Sequence, residues 1–263
     1  SPDGTLEMAG GTTVQRYRGN WKLQIENSID LLHPQILHNS AVDAANRADH
    51  GGREPSIEWD TVKANGLSVS EWDQLQVAAL PRGHCWMGGF LTKSIDEDAE
   101  KVVMDEDGWR ALQAQYRDIM VEKHGEQSAN LILGFNRHNT IVYPNLFVNS
   151  RLAQIRILHP TAENNTEQHG YIFRRGGAPD KMFEASVRMV NANNSPSSIV
   201  TSDDHEVFER IQEALEFGSI EWLDWSRGID QEMVTNDATS GVGTNEVAMR
   251  NQHRAWAEYM AGA

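Results

Sequence analysis

Asp30, His33 and His38 form a D-x2-H-x4-H string inside the stretch Asn20 to Ser40, NWKLQIENSIDLLHPQILHNS. Two neutral imidazoles and a carboxylate this close in sequence can meet at one point in space, and they are the donor set of a non-haem Fe(II) centre. The same set also suits Zn²⁺. A metal-dependent hydrolase therefore stays open as a second chemistry, although the chain carries no HExxH motif. A further ligand would have to come from a distant segment.

The elements around the string must bring its donors together. Trp21, Ile25, Ile29 and Leu32 recur at spacings of three and four, which predicts an amphipathic helix facing a core. At ~100° per residue, Asp30 and His33 are about 60° apart and share a face, whereas His38 is roughly 140° beyond His33 on an unbroken helix. Pro34 removes a backbone donor and disfavours the α conformation at His33. A kink or restart at Pro34, swinging His38 back toward His33, is expected.

Upstream, residues 1–11 read as a linker or chopped end and Thr12–Arg18 as a short strand, with residues 12–263 forming one domain. Downstream, Asp43–Glu54 has the composition of an exposed, lid-like loop. Gln76–Leu80 is a short apolar run, Gly83–Phe90 a strand and Asp107–Lys123 a helix. Then Ala129–Phe135, Thr140–Val142, Leu146–Val148, Leu152–Leu158 and Glu167–Arg174 look like successive antiparallel strands. Asp203 is expected to open a helix with Glu206 and Glu209 near its start. A loop over Gly228–Gly243 precedes a helix over Asn245–Met260, docked through Val247, Met249, Trp256 and Met260. Strands in a run flanked by helices predict an α+β fold built on an antiparallel β-sheet.

Composition narrows the function. The 263 residues carry a net charge of −15 with the basic residues scattered, which argues against a nucleic-acid partner. There is no apolar run of membrane-spanning length and no signal-like start, so no membrane association is expected. A single cysteine, Cys85, allows neither an intrachain disulfide nor a cysteine-rich metal site, and a cytoplasmic setting is expected.

At NWKLQIEN followed by D-x2-H-x4-H, the sequence resembles the catalytic domain of the large (alpha) subunits of Rieske non-haem iron ring-hydroxylating oxygenases. The resemblance continues through IVYPNL (Ile141–Leu146), QIRILHP (Gln154–Pro160), SDDHEVFERIQEAL (Ser202–Leu215) and TNEVAMRNQHRAWAEYM (Thr244–Met260). Several independent segments in the right order cover nearly the whole chain.

That resemblance implies a helix-grip-like catalytic domain holding Fe(II) through His33, His38 and a later aspartate, Asp204, with the adjacent Asp203 as the competing acid. It implies that Asp30 bridges an iron-ligating histidine to the cluster of a neighbouring subunit. It places Leu31, Leu32, Met87, Phe90 and Phe147 near the substrate pocket. The implied reaction is dioxygen-dependent hydroxylation of an aromatic substrate, typically cis-dihydroxylation. Electrons would come from a ferredoxin or reductase within a trimer of alpha subunits that can also carry a beta subunit. The C-x-H and C-x2-H pairs that would hold a [2Fe–2S] cluster in the full-length subunit are absent from this chain. It is therefore expected to be a catalytic domain without its electron-delivering half, not competent for turnover alone. A non-catalytic small-molecule-binding module of the same fold is the remaining alternative.

Overall fold

The computed structural model describes residues 1–48, 57–90, 106–218 and 221–262. Period-two burial builds its centre. On β6 (Gln154–Ala162) the side chains of Gln154, Arg156 and Leu158 turn inward, and on β7 (Asn165–Arg175) those of Thr166, Gln168 and Ile172 do. These strands belong to a nine-stranded sheet in the order β1-β7-β6-β5-β4-β3-β2-β9-β8, with every pairing antiparallel. The others are β1 (Leu6–Arg18), β2 (Gln76–Ala79), β3 (Cys85–Phe90), β4 (Phe135–Val142), β5 (Leu146–Asn149), β8 (Met233–Val234) and β9 (Thr239–Val242).

Helices cover the inward face. Ile25 of α1 (Trp21–Asn27) and Ile29 and Leu31 just beyond it pack with Val77, Met87, Ile141, Phe147 and Leu158 from five successive strands. Val247, Ala248, Met249 and Ala255 of the C-terminal helix α10 (Val247–Met260) close the same core. A second cluster joins α8 (Asp180–Asn193) to Ile172, and a third joins α3 (Asn39–Arg47) and α4 (Ile57–Lys63) to Val200 of α9 (Ile199–Glu216). The other α-helices among the described residues are α2 (His33–Leu37), α5 (Val69–Trp72), α6 (Glu106–His124) and α7 (Glu126–Gly134). The antiparallel α+β expectation holds. No helix among the described residues is long and apolar enough to cross a membrane.

Several local expectations are corrected. Leu6–Gly11 is the first half of β1 rather than linker, and the Gly10–Gly11 pair sits in a register shift between Met8 and Thr12. Gly11 has φ of +74° there, and a Cβ on Gly10 would lie 2.8 Å from Cβ of Ile172, so the bulge uses both glycines. Ala129–Gly134 is helix: Ala129 is fully buried while Leu131 and Ile132 are exposed, a helical rather than alternating pattern. A short apolar run reads the same either way, and packing of α7 beside α6 decides it. Residues 43–47 are helical within α3, and the rest of the expected loop, residues 49–54, lies outside the described residues. The expected loop over residues 228–243 contains β8 and β9, and β9 pairs with β2. In α10 the buried stripe ends at Ala255. Trp256, ~100° further round, and Met260 are largely outside it.

Phe147 is wholly buried at the centre of the sheet. Phe147→Ala should destabilise the fold by about 3–5 kcal/mol, measured by urea unfolding, whereas Leu6→Ala on the exposed end of β1 should change it by less than about 0.5 kcal/mol.

Candidate metal centre

The chain that carries the histidines breaks earlier than Pro34 predicts: α1 stops at Asn27, so Asp30 and His33 do not share one helix, and the chain restarts at His33 with Pro34 in the first turn of α2, a restart that Asp30 organises. α1 begins at an N-cap, Asn20, whose side chain accepts the Lys22 amide at 3.1 Å, and it stops at Asn27. Asp30 then accepts the amide of Leu32 on Oδ1 at 3.0 Å and that of His33 on Oδ2 at 3.2 Å. Those are donors at the start of α2 that have no helical partner, and Pro34 adds no N–H to satisfy. α2 is only five residues long, and His38 sits at its junction with α3 with φ of −90° and ψ of 11°. The restart turns His38 back so that the His33 and His38 rings meet edge to face at 5.4 Å between centroids.

The far side of the centre is α9. Its N-cap is Ser198, whose hydroxyl accepts the Thr201 amide at 3.1 Å, so the helix starts earlier than the sequence suggests. Asp203 and Asp204 consequently lie in its second turn, away from the unpaired amides of the helix start. Capping does not account for them. Adjacent helical residues diverge by ~100°, and the two acids divide the faces of His38. Asp204 Oδ1 lies 3.4 Å from His38 Nε2 and 3.8 Å from His33 Nε2. Asp203 Oδ2 lies 3.4 Å from the other nitrogen, Nδ1 of His38.

One ligand atom from each of His33, His38 and Asp204 falls within 4.8 Å of the others, the one such group of three or more among the described residues. Two donors ~2.1 Å from a shared ion at right angles are about 3 Å apart, so the observed spacings suit a metal with slight contraction. The outer atoms fit as well. His33 Nδ1 is buried without a hydrogen bond, and Asp30 Oδ2 faces it at 3.7 Å. Each histidine thus presents Nε2 to Asp204 and Nδ1 to a different carboxylate, the arrangement that fixes tautomer and ring orientation in metal-ligating histidines. Asn27 donates to Asp204 Oδ1 at 2.9 Å and holds that carboxylate in place.

Charge follows this geometry. Burial disfavours the His38 imidazolium, but Asp204 and Asp203 outweigh it and raise the pKa. Burial opposes ionisation of Asp30, yet His33, the Leu32 amide and Arg227 more than reverse that, and its carboxyl lies below the usual range. Arg227 Nη2 is 3.5 Å from Asp30 and 3.3 Å from Glu246.

All three facing residues open on one cavity. Leu31 and Met87 line it. Leu32 does not, and Phe147 is in the sheet core instead, its ring covered by the Arg156 guanidinium carbon at 5.2 Å from the centroid. Arg156 forms the cavity wall in its stead, a residue the pattern-based reading passed over. The available signal was its inward position between Gln154 and Leu158 on an alternating strand. Asn27 and the outer role of Asp203 had no such signal, because both depend on which helix faces which. The side chain of Phe90 lies outside the described residues. The His253 ring stacks on Trp225 at 4.1 Å between centroids and its Nε2 lies 2.8 Å from Glu26 Oε1.

The family model for the ring hydroxylating alpha subunit (catalytic domain) matches residues 6–262. The chain is 28% identical over 229 residues to the 2-halobenzoate 1,2-dioxygenase large subunit of Burkholderia cepacia, covering 86% of this chain and 44% of that protein. It is 28% identical over 274 residues to the anthranilate 1,2-dioxygenase large subunit of Acinetobacter baylyi (97% and 54%), and 27% identical to the toluate 1,2-dioxygenase alpha subunit of Pseudomonas putida (100% and 55%). The chain thus spans about half the length of the curated relatives it matches. In fold it is similar to naphthalene 1,2-dioxygenase bound to phenanthrene, with a TM-score of 0.68 at 17% identity over 96% of this chain and 55% of that one. The same enzyme with indole in its active site gives 0.67 at 18% identity over 96% and 54%.

The geometry separates the two acids by experiment. Anaerobic calorimetric titration with Fe(II) should show uptake abolished by Asp204→Ala and weakened about 10–100-fold by Asp203→Asn. Equal losses would mean that the acids share one role.

Proposed function

The chain belongs to the ring-hydroxylating alpha-subunit family, of which it carries the catalytic domain, and from that premise we propose that His33, His38 and Asp204 hold an Fe(II) ion at which the whole protein hydroxylates an aromatic acid. The observation that carries this reading is the convergence of His33 Nε2, His38 Nε2 and Asp204 Oδ1 on one cavity. An Fe(II) ion held by these two histidines and this carboxylate would supply the activation of dioxygen. The relatives' names support the substrate class, since halobenzoate, anthranilate and toluate are all benzene carboxylates. They also favour insertion of both oxygen atoms over a single hydroxylation.

The chain's own residues do the positioning. Asn27 and the α9 backbone fix Asp204, Asp203 orients His38, and Asp30 orients His33. Leu31 and Met87 give the aromatic ring apolar contact beside the metal rather than on it. The side chain of Asp30 is 18% exposed, which suits the further role of carrying an electron between His33 and a cluster-bearing domain of a neighbouring subunit. That role requires an assembly of alpha subunits, a trimer on this reading, with a [2Fe–2S] cluster and a ferredoxin or reductase as donor.

Two measurements test the proposal on the whole protein with its electron donor. Oxygen uptake should accompany loss of an aromatic carboxylate, and hydrolysis without oxygen uptake would sink the reading in favour of a zinc-type enzyme. Asp30→Asn should keep iron while lowering product formation by about 100-fold or more, whereas His33→Ala should lose the iron itself. Normal turnover by Asp30→Asn would remove the bridge role.

A further inference from the structure

We propose that Arg156 is the residue that recognises the substrate's carboxylate, making the cavity selective for aromatic anions over neutral rings of the same shape; this rests on the aromatic-acid reading above. Arg156 is 9% exposed and lines the same cavity as His33, His38 and Asp204. Among the described residues its guanidinium makes no hydrogen bond and no ion pair, and its Nε is wholly buried without a partner. Its one specific contact is the cross-strand stack on Phe147, its register partner between β5 and β6.

That combination is unusual for a buried cation. Other buried or half-buried arginines have partners: Arg250 has Glu232, Arg227 has Glu246 and Asp30, and Arg175 donates to the carbonyls of Ser150 and Arg151. Buried charges are normally paired, and an unpaired one costs far more than stacking on a ring returns. Asp204 is near enough to favour the charged form, but its Oδ1 accepts from Asn27 and faces the two histidines, and it forms no ion pair with Arg156. Burial draws the guanidinium pKa down to about 10, which still leaves it cationic at neutral pH. The neighbouring amides do not compete for an anion, because Asn139 donates to the Ser28 carbonyl at 2.8 Å and Asn149 donates to Asn139 at 3.1 Å.

A guanidinium whose N–H groups have no protein partner is matched by a planar anion with two oxygens, and a carboxylate can take both bonds of the fork. Leu31 and Met87 on the same cavity supply the surface for a ring attached to that carboxylate. An aromatic acid satisfies both halves of the cavity at once. Inorganic phosphate would satisfy only one.

The test is calorimetric titration of the full, iron-loaded chain with benzoate and with benzamide, a neutral probe of nearly the same shape. The wild type should bind benzoate about 10–100-fold tighter than benzamide, the range of a hydrogen-bonded charge. Arg156→Gln should abolish that preference with iron content unchanged, Arg156→Lys should retain part of it, and Arg151→Gln, at a second arginine lining the cavity, should leave it intact. Equal binding of the two probes by the wild type overturns the assignment without any variant, so a misfolded Arg156→Gln cannot shield it. Loss of preference in Arg151→Gln rather than Arg156→Gln overturns it as well. A wild type that takes up iron but shows no preference for the anion defeats the Arg156 assignment alone. One that takes up no iron and neither probe defeats the oxygenase reading and the assignment together.

Discussion

The enclosure of the His38 ring is the constraint on which the rest of the site depends. Its side chain is 2% exposed, and both of its nitrogens face carboxylates 3.4 Å away. An imidazole that deep needs partners for both nitrogens. Those partners sit on one turn of α9, about 165 residues further along the chain. Anything that shifts α9 relative to the α2–α3 junction therefore disturbs the ring from two sides at once. Ser198, Asn27 and the Val200 packing against α3 and α4 hold that relation.

Asp30 shows how one side chain serves the backbone and its charged neighbours together. Its two oxygens satisfy the amides that begin α2, and the same carboxylate faces His33 and Arg227. The amide bonds fix its position independently of the histidine. A carboxylate pinned by backbone donors keeps its charge on burial, since those bonds favour the ionised form. Arg227 in turn ties Asp30 to Thr244 and Glu246 at the start of α10, so the C-terminal helix reports on the same site.

The inner face of the sheet changes character along its width. Under α1 and α10 it is apolar, with Val77, Met87, Ile141, Phe147 and Leu158. Toward β1 and β7 it becomes a buried amide network in which Gln24 bonds Gln168, Gln168 bonds Gln15, and Asn194 bonds Gln154. Arg156 stands where the two regions meet, with the cavity in front of it. A polar floor on one side and an apolar one on the other is what a site needs to orient an amphiphilic small molecule rather than merely enclose it.

Much of this was legible in the residues themselves. The D-x2-H-x4-H string, the restart at Pro34 and the alternation of β6 and β7 rest on covalent geometry and local periodicity, and they stand in the fold. Local pattern misled where two structures share one signature. The run Ala129–Gly134 is helix because α6 lies beside it, and the Gly10–Gly11 pair bends a strand rather than ending one. The division of labour between Asp203 and Asp204 turns on a helix rotation relative to a histidine far away in sequence, which no spacing encodes. Arg156 is the extreme case. In sequence it is one charged residue on a strand, and only the packing of that strand beneath the cavity leaves its guanidinium buried and unanswered, because burial and the want of a partner are properties of what surrounds a residue.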